Sequence, residues 1–61
     1  MSRGLKKGDR VYLRMSDGHT YTGIFDGTED KWGITFLLLY YNGRRSVFNS
    51  KHLLGCGKVG G

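Results

Sequence analysis

Apolar and polar positions alternate with period two along most of the chain, and no segment keeps the 3.6-residue period of an amphipathic helix over a useful length. Val11, Leu13 and Met15 alternate with Arg10, Tyr12 and Arg14, which predicts a half-buried strand. Ser16-Asp17-Gly18 follows, and Asp-Gly is a strong tight-turn signal. A second strand runs from His19 to about Asp26, with Tyr21 and Phe25 on one face and Thr20, Thr22 and Ile24 on the other. Gly23 stands between Tyr21 and Phe25, where a missing side chain permits a sharp bend. Residues 27–31 then read as a polar loop.

The most apolar segment is Trp32 to Tyr41. Ile34, Phe36, Leu38 and Tyr40 share one face of it; Thr35, Leu37, Leu39 and Tyr41 share the other. Both faces ask for cover. One small core covers one face, and a neighbouring subunit is the simple candidate for the second. Asn42-Gly43 is a hairpin turn that wants positive φ at both residues. It launches a fourth strand, Arg44 to Phe48. Asn49-Ser50-Lys51 reads as a tight turn, and His52-Leu53-Leu54 begins a fifth strand. The expected fold is all-β: a small, strongly bent barrel of five antiparallel strands, with at most a short N-terminal helical turn. Residues 1–7 form a basic arm, 8–55 the single barrel domain, and 56–61 a Gly-rich tail expected to fray.

Composition narrows the function. A chain of 61 residues holds one domain and is marginal alone. Small domains usually add disulfides, a metal or a partner subunit. The single Cys56 makes no intramolecular disulfide, and with His19 and His52 it cannot fill a four-ligand zinc site. Association with other chains is the remaining staple, and no metal or cofactor is expected. All five acids lie in the first thirty residues beside five basic ones, whereas residues 31–61 carry five basic residues and no acid. The whole +5 charge belongs to the second half, which suits a polyanion such as nucleic acid. The basic N-terminus has no apolar core behind it, so it does not read as a secretory signal. With the lone Cys, this points to a reducing, cytoplasmic location and no membrane.

Gly8-Asp-Arg-Val11 with Leu13, then Asp17-Gly18, then Tyr21-Thr-Gly-Ile-Phe25 resembles the first motif of the Sm and Sm-like proteins: a strand, an Asp-Gly turn, and a bent strand with a central Gly. Trp32-Gly33-Ile34 with Phe36 is similar to the start of their third strand. Val47-Phe48-Asn49-Ser50-Lys51 with His52-Leu53-Leu54 is similar to their second motif, where a short turn joins strands four and five. Residues 8 to 54 carry the resemblance. It implies a five-stranded barrel, homo-oligomeric rings of five to seven subunits closed by pairing strand four with the next subunit's strand five, and single-stranded RNA as ligand. The family's usual loop Asp and Asn fall here at Glu29 and Gly33, and its usual Arg-Gly is replaced by Asn49-Ser50-Lys51. Leu37, Leu39 and Tyr41, with Val47 and Leu53, are the expected subunit interface.

The expected RNA contacts are Glu29, Lys31, Trp32, Asn49, Ser50, Lys51 and His52. Lys51-His52 resembles a pore pair of the bacterial Hfq-type branch. Lys51 would meet phosphate, while Asn49 and Ser50 would hydrogen-bond bases or sugar. The only Trp of so short a chain reads as a core plug; an exposed Trp32 would instead stack on an unpaired base. Tyr12 shares a polar face with Arg10 and Arg14, which makes it the best-placed exposed tyrosine. Arg44-Arg45 could clamp phosphate at a hairpin tip, and Arg3, Lys6 and Lys7 would add sequence-blind affinity.

No catalytic constellation accompanies these residues. His19 and Asp17 are close through a turn, but no nucleophile has a reason to approach them, and Cys56 lacks a partner base. The tail glycines are no phosphate loop. Two other readings stand. One is a small-barrel protein-interaction adaptor, of the kind a phage or mobile element carries, whose sheet edge accepts a peptide strand. The other rests on Gly8-Asp-Arg-Val11, which is also similar to the opening of plasmid-type dihydrofolate reductase, a small barrel with a pore shared by four chains.

Overall fold

A computed structural model of the protein describes residues 4–60. Five strands follow in order: β1 (Arg10–Met15), β2 (Thr20–Lys31), β3 (Ile34–Tyr41), β4 (Arg44–Asn49) and β5 (Leu53–Lys58). A single 3-10 turn, Ser50–His52, joins β4 to β5, and no α-helix occurs among the described residues. The strands make one antiparallel sheet in the order β4-β3-β2-β1-β5. The sheet does not close into a barrel; β4 and β5 are its two free edges. Among the described residues, no helix is long and apolar enough to cross a membrane.

The bend of the sheet lies in β2. Its first half pairs with β1, Arg10 opposite Ile24 and Leu13 opposite Tyr21, while residues 24–31 pair with β3. The register shifts between Phe25 and Thr28, and Gly27 there takes a φ of +101°. Such a bulge kinks a strand and raises its twist. Gly23 is needed for a different reason: a β-carbon there would overlap the carbonyl oxygen of Tyr40 and stand 2.9 Å from its carbonyl carbon. Only a glycine lets the two backbones approach so closely.

Period-two alternation puts Val11, Leu13 and Met15 of β1 on the concave face with Phe25 of β2 and Leu37 and Leu39 of β3. Val11, Leu13 and Leu39 are completely buried. Tyr21, Tyr41, Phe48, Leu53 and Cys56 pack round this cluster. Burying such side chains is worth about 1.5–3 kcal/mol each, and this cluster holds the fold together.

Two expectations, the polar loop and the frayed tail, are corrected, and the N-terminal segment is sharpened. The polar loop at 27–31 is the second half of β2, because ladder hydrogen bonds to Ile34–Leu37 hold it extended without an apolar side. The tail does not fray from residue 56: Cys56 pairs opposite Leu13 and Gly57 opposite Tyr12, and the Val59 N–H donates to the Arg10 carbonyl at 2.8 Å. The arm is tied down at its end, since Leu5 is buried in the core. The helical turn does not form within residues 4–9, and the rest of the segment expected to hold it, with Arg3, lies outside the described residues.

The expected interface is corrected at two positions. Leu37 and Leu39 are buried in the chain's own core, whereas Tyr41 and Leu53 pack against that core and stay half-buried. Phe25 opposite Leu39 and Phe48 opposite Leu37 decide this, because paired residues share a face. Val47 is 60 % exposed. It lies opposite Leu38 on the outer face, near exposed Tyr40 and Ile24.

Candidate functional site

Two connections gather at one end of the sheet. The β2–β3 hairpin turns through Trp32 and Gly33, and the 3-10 turn Ser50–His52 follows β4. Asn49 lies opposite Phe36, so the two connections emerge from adjoining strands. Ser50 shares an open cleft of about 450 Å³ with Asp30, Thr35, Leu54 and Cys56.

The hairpin tip departs from the usual turn chemistry. Both two-residue hairpins have positive φ at both central residues, at Trp32 (53°) and Gly33 (72°) and at Asn42 (54°) and Gly43 (75°). Asn-Gly is the sequence this turn favours; a bulky residue in the left-handed region is strained. Trp32 is also 86 % exposed, so the expectation of a core plug is corrected. The indole stands in solvent at the tip of a hairpin whose stem is braced by the Thr35 hydroxyl donating to Asp30 Oδ1 at 2.7 Å. Lys31 Nζ lies 3.7 Å from Glu29 Oε1, so these two expected contacts partly satisfy each other.

The second connection is capped by its own sequence. Asn49 Oδ1 accepts the Lys51 backbone N–H at 2.8 Å. That bond satisfies one donor of the short turn and occupies the carbonyl oxygen expected to read a base, leaving the amide NH2. Lys51 and His52 are exposed, and Ser50 and Asn49 are half-buried. The His52 carbonyl accepts the Ser16 N–H at 2.8 Å, which ties this turn to the β1–β2 loop. In that loop Asp17 accepts the His19 N–H at 2.8 Å and the Tyr21 hydroxyl at 2.7 Å. These bonds hold the Asp17 carboxyl below the usual carboxylate range, and the same bond to Asp17 pushes the Tyr21 phenol up. Asp9 is likewise lowered, by the Lys6 N–H and then the nearby Lys58 ammonium. The expected basic arm reaches the structure as Lys6 and Lys7, both exposed.

Every acid has a partner: Asp9 with Lys58, Asp17 with His19 and Tyr21, Asp26 with Arg45, Glu29 with Lys31, and Asp30 with Thr35. Among the described residues, Lys6, Lys7, Arg10, Arg14, Arg44 and Lys51 make no ion pair. The uncompensated positive charge is therefore spread over both halves of the chain. Arg44 and Arg45 do not act as one clamp, because neighbouring strand residues face opposite ways and Arg45 Nε already meets Asp26 Oδ2 at 3.1 Å. Unpaired Arg10 and Arg14 flank Tyr12 on the exposed face of β1, as their alternation with it in the sequence implies. Among the described residues, no cluster of three His, Cys, Asp or Glu is placed to hold a metal ion.

No protein-family model, curated protein or solved structure matches this chain.

Proposed function

We propose that the protein is an Sm-like small-barrel subunit that binds single-stranded RNA at the end of the sheet carrying Trp32 and the Asn49–Lys51 turn. The observation that carries this is Trp32. Left-handed backbone at a bulky residue costs of order 1–3 kcal/mol, and the exposed indole gains almost nothing from packing. Among the described residues, no contact offsets either penalty. A stacked base would, at roughly 1–3 kcal/mol per base. Lys51, without an acidic partner among the described residues, supplies charge for the backbone of the same strand.

The free edges support assembly. They are β4 and β5, the two strands that the Sm resemblance pairs between subunits. Joining β4 of one copy to β5 of the next would complete a barrel wall, satisfy both edges and repeat the Lys51 turn round a pore. Exposed Val47, on β4, would lie beside that seam. The lone, unpaired Cys56 fits a reducing, cytoplasmic setting.

The test is anisotropy of labelled oligouridine against salt. Binding should weaken steeply as salt rises and Lys51→Ala should weaken it further. No binding at low salt would remove the RNA reading. Light scattering should give five to seven subunits; a monodisperse monomer would remove the ring alone. The same free edges would suit a peptide strand, and peptide capture by a protein that ignores RNA would favour the adaptor reading.

A further inference from the structure

We infer that the outer face of β1 and β5 is a second RNA-contact surface, a shallow track built from Arg10, Tyr12 and Arg14 over a floor of Gly55 and Gly57. This rests on the RNA reading above and extends it to a different face. Arg14 lies opposite Gly55 and Tyr12 opposite Gly57, so these two side chains stand beside residues with no side chain at all, while Arg10 stands beside Val59. The Tyr12 ring lies over Gly57: a β-carbon there would stand 2.9 Å from Cε2 and 3.1 Å from the hydroxyl. Tyr12 therefore explains Gly57. Gly55 stands where the β1–β5 register shifts between Arg14 and Met15, and glycine is common at such a bulge. A β-carbon there would meet no atom within 4 Å, so the surface beside Arg14 is open to a ligand.

Charge commits the face to a polyanion. Arg10 and Arg14 make no ion pair among the described residues, and their outward neighbours on β2, Thr20, Thr22 and Ile24, carry no acid. Alternate strand residues stand about 6.8 Å apart, the same order as the phosphate repeat of a stretched single strand. Arg10 and Arg14 hold backbone on either side of Tyr12, and its exposed ring takes a base. A planar base fits a glycine floor; a membrane surface would need no such floor.

The experiment is an amide-resolved NMR titration of the full chain with oligouridines of about four and about twelve nucleotides, with anisotropy on two variants. Arg10→Gln with Arg14→Gln changes only exposed side chains. It should weaken the longer oligomer about tenfold, leave the shorter one nearly unchanged, and lower the salt slope by about 1.4, the share of two phosphates on a single strand. Gly55 and Gly57 amides should shift with the longer oligomer, and should still shift in Trp32→Ala with Lys51→Ala. If Trp32 and Lys51 respond while Gly55 and Gly57 stay still, the track is refuted and the RNA reading stands. If nothing responds, both fail. The titrations are run at one fixed protein concentration, because pairing of β5 with the β4 of a second copy would by itself move the Gly55 and Gly57 amides.

Discussion

Replacing Trp32 by Asn should make the protein more stable and bind RNA less well. The perturbation keeps the two-residue turn and installs the residue that the Asn42-Gly43 hairpin already uses with the same backbone sign. Asn tolerates positive φ far better than a bulky side chain; relief of the strain is worth roughly 1–2 kcal/mol. Against this stands the packing lost with the indole. At 86 % exposure that loss is small, under about 1 kcal/mol at 25 cal/mol per Å². The net gain is about 1 kcal/mol, which for a domain of this size raises the melting temperature by roughly 4–8 °C. Binding should move the other way. Loss of one stacked base costs about 1–3 kcal/mol, about 5- to 150-fold in Kd. Thermal melts at fixed protein concentration and oligouridine anisotropy read the two effects. A variant that melts lower, or that binds as the wild type does, would refute the argument that Trp32 carries strain for the sake of a ligand.

Further outcomes follow from the core and the polar turns. Leu39→Ala removes a completely buried side chain and should cost about 2–5 kcal/mol; a core of this size rarely supplies more than about 3–5 kcal/mol, so circular dichroism should show a largely unfolded chain. Gly23→Ala should destabilise by several times the roughly 0.5–1 kcal/mol that Ala normally gains over Gly, because its β-carbon collides with the Tyr40 carbonyl; a denaturant midpoint at or above wild type would contradict the register. Asp9 and Asp17 are held below 3.8 in the folded chain, so their contribution is complete above that value and lost as pH falls through the lower folded values; Asp17→Asn should flatten the acid-unfolding curve between those limits. The Tyr21 phenol is held above 10.0, so its contribution is complete below that value and lost as pH rises through the folded one. Asp17→Asn should bring its absorbance titration back toward 10.0, and an unchanged titration would show that the hydrogen bond does not form.

The parts of the fold visible in the sequence are those where local chemistry and global structure agree. Val11-Leu13-Met15 alternates as β1 does, Asp17-Gly18 and Asn42-Gly43 turn where they should, and both faces of β3 divide as the alternation divides them. What alternation does not contain is the side that faces the core. Leu37 and Leu39 could be assigned to either side until Phe25 and Phe48 are placed opposite them, and that pairing is a tertiary fact. The second half of β2 was hidden because Thr28-Glu29-Asp30-Lys31 is polar throughout; its order comes from the ladder and from the Asp30–Thr35 bond. The end of β5 was hidden by Gly55 and Gly57, which weaken strand propensity. At the candidate site, the residue types were visible but their commitments were not. Arg45 is engaged by Asp26 and Asn49 by Lys51, whereas Trp32 stands exposed with no partner among the described residues.

Trp32 is the only tryptophan, so fluorescence excited beyond the tyrosine absorption band reports on the proposed site alone. The most direct measurement is its emission during titration with unlabelled oligouridine at low salt. Stacking on a base should quench the emission and saturate with the Kd that anisotropy gives, and added salt should restore it. Anisotropy that reports binding while Trp32 emission stays unchanged, or no binding at all, would contradict the account.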